Sequence, residues 1–124
     1  MQLAEQIIEI TPNQLTDKKF MIERIHVPDN LIGLTIFIEV NQNPINFVLV
    51  YDSLYNLRAE YQAIENQRKI VIHQDEAKSG IETKAGNIPA GEWIIAFEFQ
   101  TSNLTETWAC KYRVTGEVNT RVQM

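Results

Sequence analysis

Apolar residues recur at every second position through most of this chain. Over 91–100, Trp93, Ile95, Phe97 and Phe99 share one face, which calls for a strand in a sheet packed over a core. Over 34–41, Leu34, Ile36, Ile38 and Val40 oppose Thr35, Phe37 and Glu39. Over 108–118, Trp108, Cys110, Tyr112 and Val114 alternate with Ala109, Lys111 and Arg113. The run 45–51 is apolar on both faces, as expected of a central strand covered at least in part on both sides. In 18–27, Phe20 and Ile22 fall on one face but Ile25 and Val27 on the other, which predicts a bulge or a change of sheet near Glu23 and Arg24. Ile7, Ile8 and Ile10 make a short first strand at an edge, and Ile70, Val71 and Ile72 a short β-branched one.

Turn signals separate these runs. Thr11-Pro12-Asn13 and Pro28-Asp29-Asn30 end strands, and Asn41-Gln42-Asn43-Pro44 predicts a hairpin between its neighbours. The polar stretch 74–87, with Gly80 and Gly86, reads as a loop, and 101–107 as a polar turn. The stretch 53–68 is ambiguous. Leu54, Leu57, Tyr61 and Ile64 lie at helical spacing behind Ser53 as an N-cap, yet it reads better as a connection with at most a helical turn or two. Seven to eight strands joined by turns predict a single all-β domain over 1–124, an antiparallel β-sandwich of jelly-roll-like form.

Composition narrows the partners more than the chemistry. A net charge of -5 argues against nucleic acid, whose phosphates need clustered cations, and against an anionic membrane. No apolar run approaches the ~20 residues that span a bilayer, and the N-terminus lacks a basic leader, so a cytoplasmic protein is expected. Cys110 is the only cysteine, which excludes an intrachain disulfide and a Cys-rich metal site.

No catalytic constellation emerges. His26 and His73 have neither the spacing nor the carboxylate of a metal pair and read as solvated strand-end residues; alternation from Ile70 and Ile72 turns His73 away from the core. Asp75, Glu76 and Glu82 lack the calcium-loop pattern and read as a solvated acidic loop. Ser53, Ser79 and Ser102 lack a nucleophile elbow, and no phosphate loop occurs. Cys110 reads as a buried structural thiol. Asn103-Leu104-Thr105 matches a glycosylation acceptor, uninformative without a secretory route. Trp93 and Trp108 begin alternating strands and belong to the core, leaving Tyr55 and Tyr61 as the best exposed aromatics for stacking on a sugar. Tyr55, Arg58 and Tyr61 are the candidate ligand- or partner-binding residues; no catalytic, metal or cofactor residue is assigned.

Tyr51-Asp52, Leu57-Arg58-Ala59, Lys69-Ile70-Val71-Ile72 and Ile88-Pro89-Ala90-Gly91-Glu92-Trp93 follow one another in order. Over 45–99 this resembles the β-sandwich domain that precedes the catalytic domain in bacterial PHP-type metallohydrolases of the CehA/McbA kind. Ala59 stands where that pattern has glycine, the loop 80–86 lacks its aromatic and first proline, and the hydrolase's His-x-His metal motif is absent. The resemblance therefore implies an accessory sandwich and no catalytic residue. The expectation is a non-catalytic accessory or protein-interaction domain. It would pack on a metallohydrolase domain or self-associate through an exposed sheet edge. The alternative is a carbohydrate-binding module, and a small hydrolase using scattered carboxylates comes third.

Overall fold

The computed structural model describes residues 1–11, 18–41, 45–101 and 107–119. The turns read at 12–13, 42–44 and 102–106, the Asn103-Leu104-Thr105 acceptor and the last five residues lie outside the described residues. Eight strands follow in order: β1 (Gln2–Ile10), β2 (Lys18–Val27), β3 (Leu31–Val40), β4 (Ile45–Tyr51), β5 (Leu57–Ile64), β6 (Gln67–His73), β7 (Gly91–Gln100) and β8 (Trp108–Val118). The one helical element described is a 3-10 turn at Glu76–Lys78.

Two four-stranded antiparallel sheets form, in the orders β1-β8-β3-β6 and β2-β7-β4-β5. The pairs β1–β8, β2–β7, β3–β6 and β4–β5 are nested, as when one long hairpin is folded over on itself. That is the jelly-roll form of the β-sandwich. Except between β4 and β5, every connection passes from one sheet to the other. The hairpin read at 41–44 is therefore corrected: β3 and β4 lie in different sheets and do not pair, so the chain crosses between the sheets there. Alternating apolar residues on both sides of that stretch fit a crossover as well as a hairpin.

The inward faces form one core. Trp93, Ile95, Phe97 and Phe99 of β7 and Trp108, Cys110, Tyr112 and Val114 of β8 are all buried, with Ile36 and Ile38 of β3 and Ile70 and Ile72 of β6. Phe97 stacks on Phe99 with ring centroids 5.4 Å apart, and Phe99 meets Trp108 edge-on at 5.7 Å, the preferred aromatic geometries. As expected, β1 is an edge strand and β4 is interior to its sheet.

Two expectations about strands change. The connection expected over 53–68 contains β5 and the start of β6 instead. The alternation of β5 is broken twice. Opposite the register shift between Val50 and Tyr51, Arg58 is the extra residue, and near its end Ala63 has φ +50° and no partner in β4. These irregularities turn a strand's period of two into the spacing Leu57, Tyr61, Ile64 that mimics a helix. In β2 the expected bulge does not occur. Its register with β7 is unbroken from Lys18 opposite Gln100 to Val27 opposite Gly91. Lys19, Met21, Glu23, Ile25 and Val27 share the inward face, so Phe20 and Ile22 point outward with Arg24 and His26. Glu23 is tolerated inside because Tyr112 Oη donates to its carboxylate at 2.8 Å.

The long connection 74–90 covers the β5–β6 side of the sandwich. The Glu60 N–H donates to the Glu82 carbonyl and Lys84 N–H to that of Arg58, while Gly80 N–H reaches Val71 and Gly86 N–H reaches His73. Both strand edges on that side are thus capped by backbone hydrogen bonds.

Candidate interaction surface

Tyr51-Asp52, Leu57-Arg58-Ala59 and the stretch 88–93 meet at one end of the sandwich, while Lys69-Ile70-Val71-Ile72 lies in β6 of the other sheet. The bulge in β5 aims Arg58 into the 84–87 segment. Its Nη1 donates to Asp52 Oδ2 at 3.2 Å and to the Asn87 carbonyl at 2.7 Å, its Nε to the Lys84 carbonyl and its Nη2 to the Gly86 carbonyl, each at 3.0 Å. The guanidinium also lies 5.5 Å from the Trp93 ring centroid, a cation–π contact, and Trp93 Nε1 donates to Pro89 O. Asp52 accepts from the N–H groups of Leu54 and Asn56 and from the Asn56 side chain. Burial would raise its carboxyl, but these bonds and Arg58 outweigh it and hold it below its ordinary value. Gly91, at φ +123°, completes the entry to β7; a Cβ there would meet Ser53 Cβ at 2.9 Å.

Of the three candidate residues, Arg58 and Tyr61 are buried and Tyr55 is 77% exposed. The structure does not bring them together. Tyr61 donates to the Ile81 carbonyl beneath the loop, and burial first, then Glu82, push its phenol up against the opposing effect of Arg68, stacked on its ring. Tyr55 stands at the tip of the β4–β5 turn with φ +64°. With Trp93 and Trp108 also in the core, none of these rings joins Tyr55 in a stacking face. A depression of about 560 Å³ beside the turn is lined by Asp52, Asn56, Arg58, Lys84 and Asn87. Two of its charged groups, Asp52 and Arg58, are committed to each other.

His73 is corrected from solvated to buried. Alternation does turn it to the outward face, opposite Gly33, but there the loop roofs it. Nδ1 accepts from the Asp75 N–H at 2.9 Å and Nε2 lies 3.0 Å from Glu117 Oε2. The ring fills the space over Gly33, where a Cβ would lie 2.8 Å from His73 Cδ2. Asp75 caps the 3-10 turn by accepting from Ala77 N–H, and among the described residues no three His, Cys, Asp or Glu side chains gather as a metal site. Cys110 is buried as expected, and burial and Glu23 push its thiol up to about 12.

The outward sheet faces differ sharply. On β1-β8-β3-β6, Glu5, Lys111, Arg113, Glu39 and Lys69 surround Phe37, whose ring lies 4.7 Å from the Arg113 guanidinium and 5.7 Å from Lys69 Nζ. On β2-β7-β4-β5, the registers give the row Phe20–Glu98–Phe47–Gln62, then Ile22–Ala96–Leu49–Glu60, then Arg24–Ile94–Tyr51–Leu57. Six of these side chains, Phe20, Ile22, Phe47, Leu49, Ile94 and Ala96, make a continuous apolar centre. Phe20 is 64% and Ile22 55% exposed. The Phe20 and Phe47 rings lie 6.3 Å apart over a nearly buried Glu98, which Lys18 approaches to 3.8 Å. Arg24 and Glu92 pair at 3.1 Å at one end. An apolar centre inside a polar margin is the layout of a protein interface. The sequence carried a signal for it: β4 is apolar on both faces, and so is β2.

Comparison with protein-family models and with curated proteins finds no significant match for this chain. Among the described residues no helix is long and apolar enough to cross a membrane.

Proposed function

We propose that this chain is a non-catalytic protein-interaction domain and that the outer face of β2-β7-β4-β5 is its docking surface. One observation carries the reading. An antiparallel sheet with one solvated face alternates apolar and polar residues; the outer face of β1-β8-β3-β6 holds Ile7 and Phe37 singly among charged side chains, whereas on this face six apolar side chains adjoin one another. Burying what Phe20 and Ile22 leave exposed against a partner is worth about 1–2 kcal/mol for each side chain. The buried ionisable groups fit the same reading. Asp52 and Arg58 close a turn, His73 closes another by accepting from the Asp75 N–H, and Cys110 lies in the core with a raised thiol. The single unpaired cysteine accords with a cytoplasmic setting.

The resemblance to accessory sandwiches rests mainly on residues that build the Asp52–Arg58–Trp93 end. It supports an accessory role and makes a metallohydrolase domain one candidate for the docking face. Hydroxyl-radical footprinting, comparing intact expressing cells with dilute purified protein, tests the surface. Phe20 should be protected in cells while Phe37, on the opposite face, is not. Equal labelling of Phe20 in both settings would remove the docking reading.

A further inference from the structure

We propose that His73 is a proton-sensitive latch: protonation of its buried ring releases the segment 74–80 from the edge of β6. The hydrogen bonds around the ring carry the inference. Nδ1 accepts from the Asp75 N–H at 2.9 Å, so this nitrogen holds no proton while the bond stands. The ring proton therefore sits on Nε2, which donates to Glu117 Oε2 at 3.0 Å. A charged imidazole carries a proton on both nitrogens, and the second one would point into the Asp75 N–H. The latched segment thus accepts only the neutral ring, while the Glu117 carboxylate favours the charged one. The charged groups packed against the ring are Glu117 from β8 and Asp75 from the loop. The Asp75 carboxylate turns back to accept from Ala77 N–H. From β3 the ring meets Gly33, and the next outward residue of β6 is Val71. The latched state holds one proton on the ring and the opened state can hold two, so a falling pH favours opening.

What hangs on the latch is the first half of the 74–90 connection. Asp75 opens the 3-10 turn, and its carbonyl accepts from the N–H groups of Lys78 and Ser79. The Ser79 hydroxyl accepts from His73 N–H and donates to His73 O, both at 2.9 Å, and Gly80 N–H reaches Val71 O at 2.8 Å. Because β6 is an edge strand, these bonds cover backbone groups that would otherwise face water. The second half is held differently. Arg58 binds the carbonyls of Lys84, Gly86 and Asn87, and a guanidinium stays charged throughout the range in which histidine titrates. Opening is therefore confined to 74–80. It leaves the β6 edge covered at neutral pH and bare in mild acid. Histidine suits a switch of this kind, because as a residue type it changes charge between about pH 5 and 8.

Nuclear magnetic resonance on the full chain, from about pH 7.5 to about pH 5, tests the latch. At the upper limit, long-range proton–nitrogen spectra should show the His73 proton on Nε2. As the ring takes up its second proton, the Ser79 and Gly80 amides should lose protection, corrected for intrinsic exchange, by about tenfold for each pH unit, since opening takes up one proton. The Lys84 amide, which donates to Arg58 O, should keep its protection. Asp75→Asn preserves the cap on Ala77 and should preserve the transition; its disappearance in that variant would make the Asp75 carboxylate the switch and overturn the inference. In His73→Asn the side-chain oxygen stands in for Nδ1 as an acceptor that does not titrate, and the transition should vanish. A proton on Nδ1 at the upper limit, steady protection of Ser79 and Gly80 over the whole range, or the same loss in His73→Asn overturns the inference. If His73→Asn does not fold, the wild-type tautomer and the contrast between Gly80 and Lys84 still decide it.

Discussion

Arg58 is a buried cation whose neighbours are three carbonyl oxygens, one carboxylate and the face of Trp93. Removing it leaves the Asp52 carboxylate buried with only its turn donors and frees the carbonyls of Lys84, Gly86 and Asn87. Arg58→Met should therefore cost about 3 kcal/mol in urea unfolding. Arg58→Lys should recover little, because an ammonium cannot reach four acceptors in the plane of a fork. The same pair sets an acid limit. With the folded Asp52 carboxyl held below its ordinary value, its stabilisation is complete above about pH 4 and is lost as pH falls through the lowered value. The stability advantage of wild type over Asp52→Asn should thus shrink below about pH 4; an advantage constant with pH would show that the carboxylate charge contributes nothing. At Cys110 the thiol is pushed up to about 12 and is buried, so alkylation at neutral pH should proceed only as fast as the chain unfolds. Rapid labelling of native protein would contradict that burial. The sequence disclosed this thiol's place because it lay on a clean alternating face. It did not disclose the burial of Arg58, because nothing in a lone arginine tells whether a bulge will turn it inward.

At the scale of elements, strands with unbroken alternation were legible and bulged ones were not. Strands β3, β7 and β8 declare their faces residue by residue. In β5, Arg58 and Ala63 each shift the phase, and a window of eight residues with two shifts carries no period to read. The loop that follows was read as solvated polar chain, but its backbone is tied to two strands. This has a measurable consequence. The amides of Glu60, Gly80 and Lys84, bonded across to the loop or the strand, should exchange slowly, together with their strands, in hydrogen-exchange experiments. Exchange at the rate of free peptide would mean that the 74–90 connection does not cap the sheet edges. The entry to β7 depends on the backbone as well. Gly91→Ala places a side chain at φ +123° and against Ser53, which should cost about 1–3 kcal/mol, measured by denaturant midpoint.

For the molecule as a whole, the two-sheet plan was legible from alternation and turns, whereas strand order was not. Order depends on pairings between segments far apart in the chain, as Gln2 of β1 with Thr115 of β8, and no local pattern encodes them. The apolar outer face was hidden for a related reason. Both faces of β2 carry apolar residues, and only its register with Trp93, Ile95 and Phe97 of β7 decides which face is core. Phe20 and Ile22 thus occupy positions that a reading from β2 alone cannot separate from core positions, although their energetic roles differ. If they serve docking and not folding, Phe20→Ser and Ile22→Thr, measured on monomeric protein at low concentration, should change unfolding free energy by no more than about 0.5 kcal/mol. Ile25→Thr, three residues beyond Ile22 on the same strand but buried, should cost about 1–3 kcal/mol, because a hydroxyl without a partner would replace the packed ethyl arm. The contrast is internal to one strand, so propensity and register are held nearly constant. A large loss at Phe20 and Ile22 would make the outer face part of the fold's own stability and leave it without selection for a partner. A small loss there with a large one at Ile25 leaves the exposed apolar centre without a role in holding the monomer together, which is the energetic signature of a surface kept for another molecule.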